Sequence, residues 1–381
     1  MHLANHAATR SRRTHKLTVL FPALILVLLH GCGGPAPSPS AAPQGSRTEA
    51  PAPPRSIVTV KGYVGGEKSE LLKNEKIRRI LAEKYDLAIN PTKAGSIEMV
   101  TSLDRSGMDF VWPSNDFAVA LLRTNGGHIR KEQIVFNSPI VIYTGWNIAN
   151  ALIKEGIVEK RTEGYFIVRF PELLQRIVEQ KTWKDIGLPF HGKIAVRCTD
   201  PTRSNSGSMF AGLVSYSLNK EDVVDEESVD RVLPELKKFF SRLGLMEHSS
   251  GDIFRKFIAT GTTNSMIVGY ENQIIEFIIA NDKSRELIEN SVCVLYPEPT
   301  IWSSHPVVTL TDNGDRLIAA FMDEQIQQIA WSEHGFRSGL VGVNIDPSAV
   351  SLPFMPESID SVIPLPGPRT FERLLHELEK L

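Results

Sequence analysis

IVFNSPIVIYTGW, residues 134–146, is the stretch on which the reading of this chain turns. It is long and rich in β-branched and aromatic residues, which favour a strand. Its Asn137-Ser138-Pro139 break predicts a strand that leaves one lobe and enters another. VCVLYPEPTIWSSHPVV, residues 292–308, predicts strand, loop and strand again, and so a second crossing.

Upstream, IVTVKGYV (57–64) reads as a strand and Gly65-Gly66 as a turn. Residues 68–84 carry Leu71, Leu72, Ile77, Ile80 and Leu81 at helical spacing. Residues 86–92 predict a second strand, followed by Ala94-Gly95-Ser96 and a helix from Ile97. DFVW (109–112) predicts a third, followed by Pro113-Ser114-Asn115 and a helix to about 123. Downstream, the pattern predicts a strand at 193–198, a loop at 199–208 and helices at 209–218, 229–243 and 251–260. A strand at 265–269 and helices at 271–281 and 313–331 follow, with an amphipathic helix in the 367–381 tail. Strands alternating with helices predict an α/β architecture with parallel strands.

The whole chain has 381 residues, 42% hydrophobic and 23% charged, so a disordered or many-pass membrane protein is excluded. Net charge is −2, which gives no footprint for nucleic acid. That average hides a basic leader: residues 1–31 hold Arg10, Arg12, Arg13 and Lys16 and no acid, leaving 38 basic and 44 acidic residues in the remainder. RSRRTHK (10–16) precedes the apolar run LTVLFPALILVLL (17–29). As a helix that run reaches about 20 Å, short of the roughly 30 Å hydrocarbon core, and Pro22 weakens it further. A basic patch before a short apolar run predicts a secretory signal over 1–31. Leu29-His30-Gly31-Cys32 resembles a bacterial lipobox, which implies lipidation of Cys32. Residues 33–55, rich in Pro, Ala, Ser and Gly, predict an extended tether. Cys198 and Cys293 sit in apolar runs and read as buried free thiols, with a disulfide between them the alternative in an exported chain; no Cys/His cluster suggests a metal.

In open α/β sheets ligands bind outside the carboxyl ends of strands. The loops there are Gly65-Gly66-Glu67-Lys68-Ser69, Ala94-Gly95-Ser96, Pro113-Ser114-Asn115-Asp116, Ser204-Asn205-Ser206-Gly207-Ser208 and Gly261-Thr262-Thr263-Asn264-Ser265, with Tyr270-Glu271-Asn272-Gln273 after a further strand. They offer hydroxyl and amide donors beside the free N–H groups of helix starts, which favour an anionic group. The same Ser and Asn residues are also default helix caps. GYVGGEKS (62–69) is no P-loop, because Glu67 stands where that motif needs Gly. No G-x-S-x-G or H-E-x-x-H occurs, so no catalytic residue and no enzyme activity is expected.

Taken together, the lipobox and tether, Gly66-Glu67-Lys68-Ser69, Ala94-Gly95-Ser96, Asn137-Ser138-Pro139, Ser204 to Ser208, Tyr296-Pro297-Glu298-Pro299 with His305-Pro306, and AWSEHGFRSG (330–339) resemble the extracytoplasmic solute-binding lipoproteins of ABC importers. These are type II periplasmic binding proteins, and the likeness is to the molybdate- and sulfate-type members. The resemblance implies a two-lobed α/β fold, two sheets flanked by helices and joined by two crossing strands. It implies lobe 1 over 56–137 plus 296–381 and lobe 2 over 138–295.

In such proteins Ser69, Ser96 and Ser206 would donate to the ligand, with Gly95, Gly207 and Ser208. Lys68, Ser114, Asn115, Ser138, Ser204, Asn205, Asn264, Ser265, Tyr270 and Glu271 complete the candidate set. The expected protein is a monomer, exported and held by its lipid on the periplasmic or extracellular side of a membrane. It would capture a small polar ligand, an oxyanion among the candidates, and deliver it to an ABC permease without a cofactor. A lipoprotein sensor or protein-interaction module on the same fold, and an exported hydrolase, are the alternative readings.

Overall fold

The computed structural model describes residues 56–244, 246–260, 265–339, 350 and 355–381. The leader, Cys32, the tether and Asn264 lie outside the described residues. The described residues belong to one compact unit.

The chain opens with β1 (Val58–Val64), whose alternate residues Val60, Gly62 and Val64 are buried. The expected first helix is two, α1 (Ser69–Lys73) and α2 (Glu75–Tyr85). Asn74 divides them, because its side chain accepts from the N–H groups of Lys76 and Ile77 and so caps a new helix. β2 (Leu87–Lys93), α3 (Glu98–Thr101), β3 (Phe110–Trp112) and α4 (Asp116–Thr124) follow.

β4 (Lys131–Gly145) is the long strand expected around the Asn-Ser-Pro break. After it come α5 (Trp146–Lys154), β5 (Val158–Lys160), β6 (Tyr165–Ile167), α6 (Phe170–Val178) and β7 (Val196–Arg197). Then come α7 (Asn205–Leu218), α8 (Val229–Leu243), α9 (Ser250–Thr260), β8 (Met266–Tyr270), α10 (Glu271–Ala280) and α11 (Arg285–Ser291). β9 (Val292–Pro297) and β10 (Trp302–Thr309) make the return. The helix expected at 313–331 is again two, α12 (Asp312–Phe321) and α13 (Glu324–His334), where Asp323 caps the second. β11 (Arg337–Ser338) and α14 (Pro368–Glu379) close the described chain.

The strands run in the order β2-β1-β3-β10-β4-β9-β6-β5, with β11 and β8 also on β4 and β7 on β8. β4 belongs to both halves. Its residues 131–139 pair with β10, and its residues 140–145 pair with β8 and β9. β1, β2 and β3 are mutually parallel, as are β6 with β9 and β7 with β8. The sheet as a whole is mixed rather than parallel. The crossing strand β4 runs antiparallel to β10, β8 and β9, because a chain that goes over and comes back must reverse.

The apolar core is continuous from one half to the other, with Val111 and Leu122 in the same cluster as Met209, Phe210, Phe239 and Phe371. α14 packs against α8 and α7 and also touches α4. Phe371 meets Phe117 of α4 edge to face with ring centroids 4.8 Å apart. The expected boundary, which gives all of 296–381 to the first lobe, leaves that packing out. Cys198 and Cys293 are buried free thiols, and burial pushes both well above the usual thiol range. Among the described residues, no helix is long and apolar enough to cross a membrane.

Candidate functional site

Two of the expected strand-to-helix loops from the first sheet face the start of α7 and α10 from the second. Between them lies a cavity of about 1280 Å³. One wall is Gly65, Gly66, Glu67, Ser69 and Ala94 to Ser96; the other includes Arg203 to Asn205, Arg255, Asn272 and Gln273. The walls approach closely at one point. A Cβ on Gly95 would stand 3.3 Å from the carbonyl oxygen of Arg203, so glycine there lets the two halves meet.

Behind the first wall sits a buried ionic cluster. Lys68 is fully buried. Its Nζ donates to Oε1 of Glu67, to Oγ of Ser114 at 3.0 Å and to Nδ1 of His305 at 3.0 Å. Ser114 in turn donates to Oε1 of Glu67. His305 is also fully buried, on β10, with its ring edge-on to Phe336 and its Nε2 without a partner. Burial raises the Glu67 carboxyl, but the Lys68 ammonium and the His305 ring outweigh it and hold the group well below the usual carboxylate range. Burial, with the Lys68 charge beside it, pushes the His305 imidazole down to about 4. At pH 7 the His305 ring is therefore neutral and Glu67 is ionised, while burial lowers the Lys68 ammonium from its usual range and Glu67 pulls it back up. Glu67 alone of the three reaches the cavity, through a side chain 11% exposed.

Under the floor, one side chain joins the two halves. Asn205, at the start of α7, donates to the Ser114 carbonyl at 3.1 Å and to the Tyr270 hydroxyl at 2.9 Å, and accepts from Asn115. Ser303 donates to the same Ser114 carbonyl at 2.7 Å. Ser96 accepts from the Ser114 N–H at 3.0 Å. Desolvation and the charge of Glu67 hold the Tyr270 hydroxyl above its ordinary range, so it stays neutral and accepts from Asn205.

Of the residues singled out from the sequence, Ser69, Gly95, Ser96, Ser204 and Asn205 line the cavity. Ser114, Asn115 and Tyr270 lie buried beneath it and position Asn205. Lys68 does not line it and is spent on Glu67, Ser114 and His305. Ser206, Gly207 and Ser208, expected in a loop, lie inside α7 and are buried. Ser206 bonds Thr199 at 2.7 Å, and Ser208 donates to the Asn205 carbonyl. Gly207 has a packing role: a Cβ there would stand 2.3 Å from the Thr199 carbonyl. Gly207→Ala is expected to destabilise the chain by about 1–3 kcal/mol, read as a lower thermal midpoint.

Ser138, on the crossing, donates to Oδ1 of Asn272 at 3.2 Å. The carbonyl of Ser265 accepts from Thr144. Glu271 is buried and tied to Arg337 and Tyr296, away from the cavity. Reasoning from sequence missed Arg203 and Arg255 in the second wall, and placed Asn272 in a strand-end loop without carrying it into the candidate set. Asn272 carried a signal, being in the first turn of a helix that follows a strand. Among the described residues, no three His, Cys, Asp or Glu side chains come together as a metal site.

Two halves joined by β4 on the way over and by the β9–β10 return, with a cavity between them, make the two-lobed type II periplasmic-binding-protein fold. Solved structures with this fold include a periplasmic thiamin binding protein, at 10% identity and TM-score 0.57, covering 90% of this chain and 99% of that one. Apo ferric ion-binding protein A of Pasteurella haemolytica matches at 11% identity and TM-score 0.54, over 84% and 98%. Iron-bound HitA of Pseudomonas aeruginosa matches at 12% and 0.54, over 85% and 99%. No protein-family model matches the chain, and no curated protein does either.

Proposed function

We propose that this chain is an extracytoplasmic solute-binding lipoprotein that captures a small polar ligand between its lobes and delivers it to an ABC permease. The observation that carries the reading is the 1280 Å³ cavity between the two halves of a fold that thiamin- and ferric-ion-binding proteins share. Lobe 1 would be 56–137 with 296–381, and lobe 2 would be 138–295, with α14 of the tail lying against α7 and α8. Their relative movement about β4 and the return crossing would close the ligand away from water. Ser69, Ser96, Ser204 and Asn205 would hold it by hydrogen bonds, and Gly95 by its backbone.

Binding without chemistry fits the neighbourhood of each nucleophile. Ser114 sits beside Lys68, an arrangement that activates a hydroxyl elsewhere, but both are fully buried. Titration calorimetry of the full chain against molybdate, sulfate, phosphate, thiamine, amino acids and sugars tests the reading. One ligand binding with unit stoichiometry is expected, and failure of every class would overturn it. For the anchor, Cys32→Ala is expected to move the protein from the membrane fraction to the soluble fraction of cells. Unchanged partitioning would sink the lipoprotein assignment.

A further inference from the structure

Each wall of the cavity holds a side chain with a polar atom that no described residue engages, and the two atoms are of opposite kind; Lys73 and Lys93 also line the first wall and Glu276 the second. On the first wall, Oε1 of Glu67 takes the bonds from Lys68 and Ser114. Oε2 accepts from none of the described residues, so an ionised carboxylate presents one free oxygen to the cavity. On the second wall, Asn272 is 1% exposed and lines the cavity. Its Oδ1 accepts from Ser138 at 3.2 Å, and its backbone N–H donates back to the same hydroxyl. Its Nδ2 is buried without a partner. A buried donor left unmade costs free energy, and ligand sites are where that cost is recovered.

The surroundings extend the contrast. Asn272 lies in the first turn of α10, a ten-residue helix whose start carries partial positive charge. The start of α7 and the guanidinium groups of Arg203 and Arg255 stand in the same wall. A bare oxyanion has no donor for Glu67 and meets its negative charge. A bare cation has no acceptor for Asn272.

We propose that the cleft takes a small organic zwitterion of the amino-acid kind, its ammonium on Oε2 of Glu67 and its carboxylate on Nδ2 of Asn272. The assignment rests on the solute-binding reading and names its ligand class. Asn272 is then a specificity-determining residue, distinguishing ligands that carry an acceptor.

Isothermal titration of the full chain with the protein-forming L-amino acids, beside sulfate and thiamine, tests this. At least one amino acid is expected to bind with unit stoichiometry. Its decarboxylated amine and its desamino acid are each expected to bind about 10- to 100-fold more weakly, the worth of one charge-assisted hydrogen bond. Asn272→Asp keeps the acceptor for Ser138 and replaces the free donor by a charge, so it should weaken the amino acid by at least that factor. The double variant Glu67→Gln with Lys68→Met, which leaves no unpaired buried charge, should weaken it likewise. The truncated ligands read both contacts on the native chain, so the test survives a variant that fails to fold.

Sulfate or thiamine binding without any amino acid would overturn the zwitterion and leave the solute-binding reading standing. No binding by any compound would overturn both. Native affinity in a folded Asn272→Asp variant would overturn the role of Asn272.

Discussion

Replacing Lys68 with methionine is expected to lower the folding stability by about 3–5 kcal/mol, the range for stripping one partner from a buried ion pair. The residue is fully buried, and its ammonium is the group that holds Glu67 ionised. Without it Glu67 keeps Ser114 and His305 near it but loses its counter-charge. Urea unfolding with an unchanged slope would measure the loss. Adding Glu67→Gln to the same chain should restore much of it, because an uncharged pair has no desolvated ion to satisfy. A single Lys68→Met variant as stable as the native chain would show that the cluster is not the buried pair described.

The same cluster sets a pH dependence. The His305 imidazole titrates near 6.5 in the unfolded chain but is pushed down to about 4 in the folded one. Between those values the unfolded state binds the extra proton, so stability rises with pH there and is complete above about 6.5. Glu67, held well below the carboxylate range, adds a further loss as pH falls beneath its unfolded value. His305→Asn is expected to flatten the 4 to 6.5 slope while leaving the steeper loss at lower pH.

A loss of similar size, about 3–5 kcal/mol, is expected from Arg337→Met. Glu271 is fully buried and takes two bonds from Arg337, at 2.6 and 2.9 Å, and one from the Tyr296 hydroxyl at 2.8 Å. The guanidinium also donates to the carbonyls of Pro356 and Glu357 at 2.6 and 2.8 Å and lies 5.4 Å from the ring of Trp331. One side chain thus secures β11, the start of α10 and the segment at 355–361. Loss of Arg337 should expose that segment to limited proteolysis before the rest of the chain unfolds. Adding Glu271→Gln should recover stability without restoring protection of 355–361, since the carbonyl contacts stay lost. Native-like protection of 355–361 in the Arg337→Met variant would mean that the segment is held by something else.

These two clusters mark where the sequence stopped being legible. Hydrophobic pattern was enough for β4, whose two halves each carry a run of strand-forming residues, and for α8, whose apolar stripe gives its observed span of Val229–Leu243. It was enough, too, for the Ala94-Gly95-Ser96 loop before α3, whereas the expected loop at 65–69 is a 3-10 turn over Gly66–Lys68 that runs into α1 at Ser69. It failed where the deciding partner lies far along the chain. Lys68 reads as a ligand-binding lysine at a strand end until Glu67, Ser114 and His305 claim it. Glu271 reads as a cleft acid until Arg337 claims it.

Ser206, Gly207 and Ser208 read as a loop by composition. Tertiary burial overrides that preference in α7, which runs apolar through Met209 to Val214 and lies inside the core. Asn272 differs from all of these. Its residue type and place were visible, but an unpaired amide is a property of the packed site and of nothing local.

The order of strands in the first half bears on how such a chain acquires its shape. β3 pairs with β10, so Val111 has no antiparallel neighbour until Val308 arrives, and Lys131 waits in the same way for Thr309. A polypeptide threaded N-terminus first would complete its middle portion while its earliest strands still lacked an edge. Non-local closure of this kind is slow. The contact of Phe371 with Phe117 adds one more pairing whose partners stand far apart along the chain.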